Sequence, residues 1–200
     1  MALDVESRAK FNLKNASILI IETGNMAMDI LVQVLSGFGA KDMQKVDKVV
    51  NAKAILSKVV FDLVLVGETL GSDDGIELVT WLRRDAPSNN KYVPVLMLSS
   101  HTAQSRVRLA RDCGTHFIVA KPLTPVVILE RILWVAREER PFVSCSSYAG
   151  PDRRFKFDGP PEGSSGRRAD DLSAKIGDAV MPNMSQDQID ALLNAKKVNP

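Results

Sequence analysis

Four short apolar runs punctuate the chain: Ser17–Ile21, Leu63–Val66, Val93–Ser99 and Phe117–Ala120. Leu63–Val66 is apolar without interruption, which predicts a strand covered on both faces, as strands of a parallel sheet are. Between the runs, apolar positions recur at helical spacing. Ile30, Leu31, Val34 and Phe38 form one such stripe, and Ile76, Val79 and Leu82 a second, ending in Arg83-Arg84 where cations meet the negative end of a helix dipole. Thr102–Cys113 reads as a helix with Arg106, Arg108 and Arg111 on its exposed face, and Pro125–Glu139 as one that buries Leu129, Ile132, Leu133 and Ala136. Gly37, Gly39 and Gly114 supply the stops. A weaker lysine-rich strand near Gln44–Val49, followed by a helix over Ala52–Val59, reads as a sheet edge. Strands alternating with helices predict an α/β domain with a five-stranded parallel sheet and right-handed crossovers.

After Arg140 the pattern dissolves. The stretch PFVSCSSYAGPDRRFKFDGPPEGSSGRRADD is rich in Gly, Pro, Ser and charge, and is expected to be too poor in branched apolar residues to bury a core. Pattern returns in Met184–Ala195, MSQDQIDALLNA. Ser185 and Gln188 stand three apart as a capping box, Met184 and Ile189 are placed as a hydrophobic staple, and Ile189, Leu192 and Leu193 make one apolar stripe. Such a helix is too short to stand alone in water and should fold when it docks. The expected layout is an extension over 1–15, an α/β domain over 16–139, a flexible disordered tail over 140–183 and a short amphipathic helix over 184–195.

Charge changes this picture little: 26 basic against 24 acidic residues give a net +2, so any anion site must come from local clustering. Cys113 and Cys145 lack the spacing or histidine companions of a zinc site or disulfide framework and read as free thiols. The first residues carry scattered charge rather than an apolar signal, and no run approaches membrane-span length, so a cytoplasmic location is expected. His101 and His116 have no partner spacing and read as surface or loop residues. No nucleophile–base arrangement stands out, so an enzyme is not expected. Nothing after residue 140 has helix-turn-helix periodicity, so DNA is not expected as a partner.

The candidate site lies in Phe61–Gly75, FDLVLVGETLGSDDG, where an apolar strand breaks into small and acidic residues. This stretch resembles the third strand and following loop of CheY-like response-regulator receiver domains, with Asp62, Asp73-Asp74 and Gly75 matching. The resemblance covers roughly residues 16–139 and implies a flavodoxin-like, doubly wound sheet with its site at the carboxyl ends of the strands. It places Gly67 where the phosphate-accepting Asp belongs, Glu22 and Thr23 where two acids hold Mg²⁺, and Ser99 and Lys121-Pro122 at the remaining pocket positions. It also implies a cis Lys121–Pro122 bond, and it sets Ile118 where a switching Tyr or Phe is common, with Phe117 next to it. One surviving carboxylate is too few oxygen ligands for a hard dication, so no metal is expected, and without the acceptor there is no nucleophile. Strand alternation should turn Glu68 away from the face of Gly67, which argues against Glu68 as a substitute acceptor. The plainer reading of Ser99 and Lys121 is that they are polar ends of buried strands, with Lys121 paired to Glu22.

Two further resemblances concern the tail. Arg153-Arg154 and Arg167-Arg168, near Tyr148, Phe155 and Phe157, are similar to the arginine-rich tails of alphaproteobacterial CheY-like proteins that bind cyclic di-GMP. A planar guanidinium fork suits guanine and phosphate, although paired arginines in a mixed-charge tail also occur as plain solvated charge. The segment 184–195 resembles the amino-terminal part of the flagellar switch protein FliM to which CheY binds. These readings imply signalling or flagellar-switch proteins as partners, with a helix that docks either on them or back on its own domain. Self-association through the last helices stays open. Function is expected to be that of a phosphorylation-independent signalling adaptor in motility or chemotaxis, with a cyclic di-GMP effector as the alternative; no other cofactor is expected.

Overall fold

The computed structural model describes residues 12–87, 89–137, 141–153 and 185–193. Five parallel strands form the central sheet: β1 (Ser17–Ile21), β2 (Asp42–Val46), β3 (Leu63–Gly67), β4 (Val95–Ser99) and β5 (Phe117–Ala120), in the order β2-β1-β3-β4-β5. The order reverses between β1 and β3, the point at which doubly wound sheets open a crevice at their carboxyl ends. Helices α1 (Asn25–Gly37), α2 (Val49–Leu56), α3 (Gly75–Arg84), α4 (Gln104–Asp112) and α5 (Pro125–Ala136) make the crossovers. Every residue of β3 and β4 is buried, as the apolar runs require.

Differences from the expected elements have local causes. The strand expected over Val93–Ser99 starts at Val95, because Pro94 has no N–H to give the ladder; its carbonyl still accepts from Val64 N at 2.9 Å. β2 and α2 begin two to three residues earlier than their pattern suggested. As an edge strand, β2 is only half covered and carries little apolar signal. On α5 the core-facing residues are Ile128, Ile132 and Leu133, while Leu129 is half-buried and Ala136 exposed, so the buried stripe sits one residue from its expected phase at its start. Residues 12–15 belong to the domain rather than to an extension: Leu13 is buried and its N–H reaches Phe38 O at 3.0 Å.

The larger correction lies beyond α5. Residues expected to start a disordered tail form an antiparallel hairpin, β6 (Phe142–Ser144) with β7 (Ala149–Pro151), packed on the end of α3. Its anchors are aromatic and glycine residues, which a search for branched apolar residues passes over. Phe142 meets Tyr92 edge-on at 4.9 Å, and Gly150 lies directly on Gly114. Arg83, read as a cation at the negative end of the α3 dipole, is buried: its Nε donates to Gly114 O at 2.9 Å, its Nη1 to Lys91 O at 2.8 Å, and its guanidinium lies 5.5 Å from the centre of the Phe142 ring. Burial lowers its pKa to about 10. Arg84 Nη2 adds a bond to Ser147 O at 2.9 Å. The remainder of the expected flexible stretch, 154–183, lies outside the described residues.

The last element is α6 (Gln186–Leu193). Its capping box is reciprocal: Ser185 N donates to Gln188 Oε1 at 2.9 Å, and Gln188 N approaches Ser185 Oγ at 3.4 Å. Ile189 is fully buried in the core of its own domain. Met184, the expected staple partner, lies outside the described residues.

Candidate functional site

The carboxyl ends of β1, β3, β4 and β5 converge, and the expected site residues separate there into two polar groups. In the first, Glu22 at the end of β1 is buried, and its Oε1 accepts from the backbone N–H of Thr23 and of Gly24, each at 3.1 Å. Its Oε2 receives Lys121 Nζ at 2.7 Å. This is the Lys121–Glu22 pair that the polar-strand-end reading anticipates. Thr23 is exposed, and its N–H is spent on Glu22. Gly67, at the end of β3, faces this pair: a Cβ built on it would stand 2.9 Å from Glu22 Oε2 and 3.2 Å from Leu70 Cδ2. The volume in which an acceptor side chain would begin is therefore filled by the Glu22 carboxylate.

In the second group Glu68, also buried, bonds Ser99 Oγ and receives Arg106 Nε at 2.5 Å. Arg106 Nη2 reaches on to Asp74 at 3.4 Å. Asp74 Oδ1 meanwhile caps α3 by accepting from Ile76 N at 2.7 Å. Alternation along β3 does separate Glu68 from Gly67, but Ser99, expected to line the pocket of Glu22 and Lys121, is taken by Glu68. Arg106, read as solvent-facing, is drawn in by the same carboxylate. Partial burial opposes its charge, yet Glu68 and Asp74 outweigh that and raise its pKa. Glu68 and Arg106 are the residues that reasoning from strand and helix faces missed. A Glu immediately after a buried strand, with Arg on the neighbouring crossover helix, was the available signal.

Two backbone features complete the rim. The Lys121–Pro122 peptide is cis, as the resemblance implied. Gly75 lies against the Gly67 carbonyl so closely that no side chain fits, and its N–H donates to Glu68 O at 2.7 Å. At the expected gating position Ile118 is fully buried, and Phe117 packs edge-on to Trp134 at 4.4 Å. His116 is half-buried and accepts at Nδ1 from Val95 N at 3.2 Å, whereas His101 is exposed. Among the described residues no group of three or more His, Cys, Asp or Glu side chains comes together. No helix there is long and apolar enough to cross a membrane.

Of the tail residues, Arg153 is described. It lies 3.7 Å over the Tyr148 ring, its Nη1 pairs with Asp112 at 2.6 Å, and its buried Nε has no hydrogen-bond partner among the described residues. Arg154, Arg167 and Arg168 lie outside the described residues. So do the side chains of Leu192 and Leu193, although their backbone belongs to α6.

A parallel five-stranded sheet in the order β2-β1-β3-β4-β5, with Glu22, Ser99 and Lys121-Pro122 at the ends of β1, β4 and β5, defines the doubly wound α/β class. The family model described as the response regulator receiver domain matches residues 18–133. This chain therefore belongs to the response regulator receiver family. It is 27% identical over 119 residues to chemotaxis protein CheY-3 of Vibrio cholerae serotype O1, covering 60% of this chain and 90% of that protein. It is 25% identical over 116 residues to chemotaxis protein CheY1 of Helicobacter pylori, covering 58% and 92%. Among solved structures, chemotaxis protein CheY4 of Vibrio cholerae superposes with a TM-score of 0.55 at 21% identity, over 60% of this chain and 98% of that one. A putative response regulator from Chloroflexus aurantiacus gives 0.56 at 24% identity, over 61% and 98%. These two establish the fold.

Proposed function

We propose that the chain is a degenerate receiver of an alphaproteobacterial type, a cytoplasmic, non-catalytic adaptor that works in a two-component or chemotaxis pathway without being phosphorylated. The observation that carries this reading is Gly67 set against the Glu22–Lys121 pair. An acyl phosphate needs a carboxylate at the strand end, and here that carboxylate is replaced by hydrogen while the neighbouring lysine is held by another acid. Thr23 in place of a second acid leaves a dication short of oxygen ligands. The pathway is supported by the names of the relatives, which are chemotaxis proteins. The FliM-like segment supports signalling or flagellar-switch proteins as partners. Incubation with acetyl phosphate and Mg²⁺ followed by intact-mass measurement tests the reading: an unchanged mass is expected, and an aspartyl or glutamyl phosphate adduct would overturn it.

A second reading, the cyclic di-GMP effector, is favoured by one observation. Arg153 presents beside the Tyr148 ring a buried Nε without an acceptor among the described residues, at the entrance to the arginine-rich stretch. A guanine nucleotide supplies both an acceptor edge and a stacking face. Calorimetric titration of the full chain with cyclic di-GMP should then show binding that Arg153→Lys abolishes, because an ammonium keeps the charge and loses the fork. Equal binding by the Lys variant would remove this reading.

A further inference from the structure

The strands of a parallel sheet all start at one end, which in this domain lies opposite the candidate site. The segments leading into β1, β3 and β4 are tied together there: Asp62 Oδ2 accepts from Ser17 N at 2.8 Å, and Pro94 O from Val64 N at 2.9 Å. Asn90, fully buried in the short 3₁₀ turn Asn89–Tyr92, locks that turn to the loop between α2 and β3. Its Oδ1 accepts from Phe61 N at 2.9 Å, and its Nδ2 donates to Leu56 O at 2.7 Å and to Val59 O. Arg83 also holds the turn, through Lys91 O, and Phe142 of the hairpin packs on the Tyr92 ring.

This rigid framework presents apolar side chains to water. Val60 is 59% exposed, Tyr92 51% and Val59 37%, whereas the other exposed large apolar residues among those described, Met26, Val50, Leu109 and Val126, each stand on a different helix. Single exposed apolar residues are ordinary on a surface; a group fixed in place by a buried asparagine is not. Lys14, Lys58 and Lys91 belong to the same end, and Lys91 Nζ lies 4.9 Å from the centre of the Tyr92 ring. Of the acids at these strand starts and helix ends, Asp62 bonds Ser17 N and Asp112 pairs with Arg111 and Arg153, while Asp42 and Asp85 adjoin Lys41 and Arg84 in the chain.

We propose that this end of the domain docks on an anionic lipid surface, with Val59, Val60 and Tyr92 at the boundary of headgroups and acyl chains and Lys14, Lys58 and Lys91 among the headgroups. Charge complementarity and the kind of side chain both select this occupant. Branched aliphatic residues beside a tyrosine suit a surface that is apolar below and wet above. Lysine suits a diffuse anionic layer, because an ammonium is a mobile point charge on a flexible apolar stem, whereas a compact acidic patch on a protein is better met by the fixed guanidinium fork. Lys91 lies over the Tyr92 ring and Phe142 against it, which leaves that ring poorly placed to stack on a nucleic-acid base. The attachment is weak, reversible and sensitive to salt, since few lysines and one small apolar group carry it. It also gives the hairpin a task, that of holding Tyr92 in place. The proposal goes beyond the adaptor reading and does not rest on it.

The experiment is co-sedimentation of the full chain with vesicles of phosphatidylglycerol and phosphatidylcholine in equal parts, and with vesicles of phosphatidylcholine alone. Wild type should partition onto the anionic vesicles only. Lys58→Glu should lower that partition at least about fivefold and Val60→Ser at least about threefold. The controls make the same changes at the opposite end of the sheet, where Lys48 follows β2 and Met26 opens α1, both exposed. Lys48→Glu alters net charge exactly as Lys58→Glu does, yet it and Met26→Ser should leave the partition within about twofold of wild type. Circular dichroism verifies the fold of each variant, and Val59→Ser repeats the apolar arm if Val60→Ser unfolds. Absence of binding to anionic vesicles, or equal losses from changes at the two ends, would overturn the proposal. So would binding that none of the four changes lowers, which would place the attachment elsewhere in the chain. A loss with Lys58→Glu and none with Val60→Ser or Val59→Ser would overturn it in favour of a soluble acidic macromolecule. Uptake of phosphate would overturn the adaptor reading and leave the vesicle result unmoved.

Discussion

Lys121 Nζ and Glu22 Oε2 lie 2.7 Å apart across the carboxyl ends of β5 and β1, joining strands that are three places apart in the sheet. The glutamate is buried and the lysine about one-quarter exposed, so the pair lies between a surface ion pair and a buried one. Glu22→Gln should cost about 1–2 kcal/mol, by removing the charge that compensates Lys121. Urea unfolding checks this as a lowered midpoint with an unchanged slope.

On the proposed degenerate-receiver reading, an acid placed at position 67 should not bring phosphate chemistry. A side chain at position 67 starts 2.9 Å from Glu22 Oε2, so Gly67→Asp must push the glutamate off Lys121 and still lacks a second acid at Thr23. Intact mass after acetyl phosphate and Mg²⁺ should stay unchanged for Gly67→Asp. Its unfolding midpoint should fall, by an amount comparable to breaking the ion pair.

The two thiols should differ in reactivity and in their effect on pH stability. Cys145 is exposed, and hydrogen bonding from Ser147 lowers its pKa, whereas burial pushes that of Cys113 up to about 12. A disulfide reagent should therefore modify one thiol in the native protein and the second only on unfolding. The unfolded Cys113 thiol releases its proton above about 9 while the folded one keeps it, so stability falls as pH rises from there toward 12. Above about 10 the lowered pKa of Arg83 works in the opposite sense, because the folded guanidinium then gives up its proton before the unfolded one does. Between about pH 8.5 and 10, wild type should lose about 1 kcal/mol more than Cys113→Ala, measured by urea unfolding at each pH.

Arg83→Ala should be among the costliest single changes. It leaves the carbonyls of Gly114 and Lys91 without their donor and removes the cation beside Phe142. A loss of about 3 kcal/mol is expected, together with a hairpin that no longer packs. Amide exchange across Phe142–Pro151 would show the second effect as lost protection.

Amide exchange also reads the sheet edge. The Ala120 amide owes its acceptor to Gln186, so Gln186→Ala should speed exchange at Ala120 while leaving Val66 and Met97 protected.

The sheet was legible because parallel strands are apolar on both faces, and Leu63–Val66 and Phe117–Ala120 carry that signal undiluted. The Lys121–Glu22 pair was legible because the resemblance set an acid and a lysine at converging strand ends, where opposite charges pair. Glu68 and Arg106 were not, since facing rules describe where a residue leaves the backbone and not how far a long side chain reaches. Residues 142–153 were misread for a different reason. Composition measures the core a segment could form alone, and this hairpin forms none: it borrows Tyr92, Arg83 and Gly114 from elements already in place. The docking of α6 was half-legible, with its cap and stripe evident in Ser185, Gln188 and Ile189. The role of Gln186 was hidden because a backbone edge leaves no mark on sequence pattern.

The contact between Gly114 and Gly150 constrains how this protein can change over evolutionary time. A Cβ on Gly150 would stand 2.6 Å from the Gly114 backbone, and Gly114 itself sits at φ +94°. The two positions therefore cannot drift independently while the hairpin is seated: a larger residue at 150 would first require the hairpin to be lost or rethreaded. Descendants in which the hairpin no longer seats would be released at 150 yet still tied to glycine at 114 by its backbone angle. Glycine at 150, more than glycine at 114, is thus the position whose identity records whether the addition is still in use.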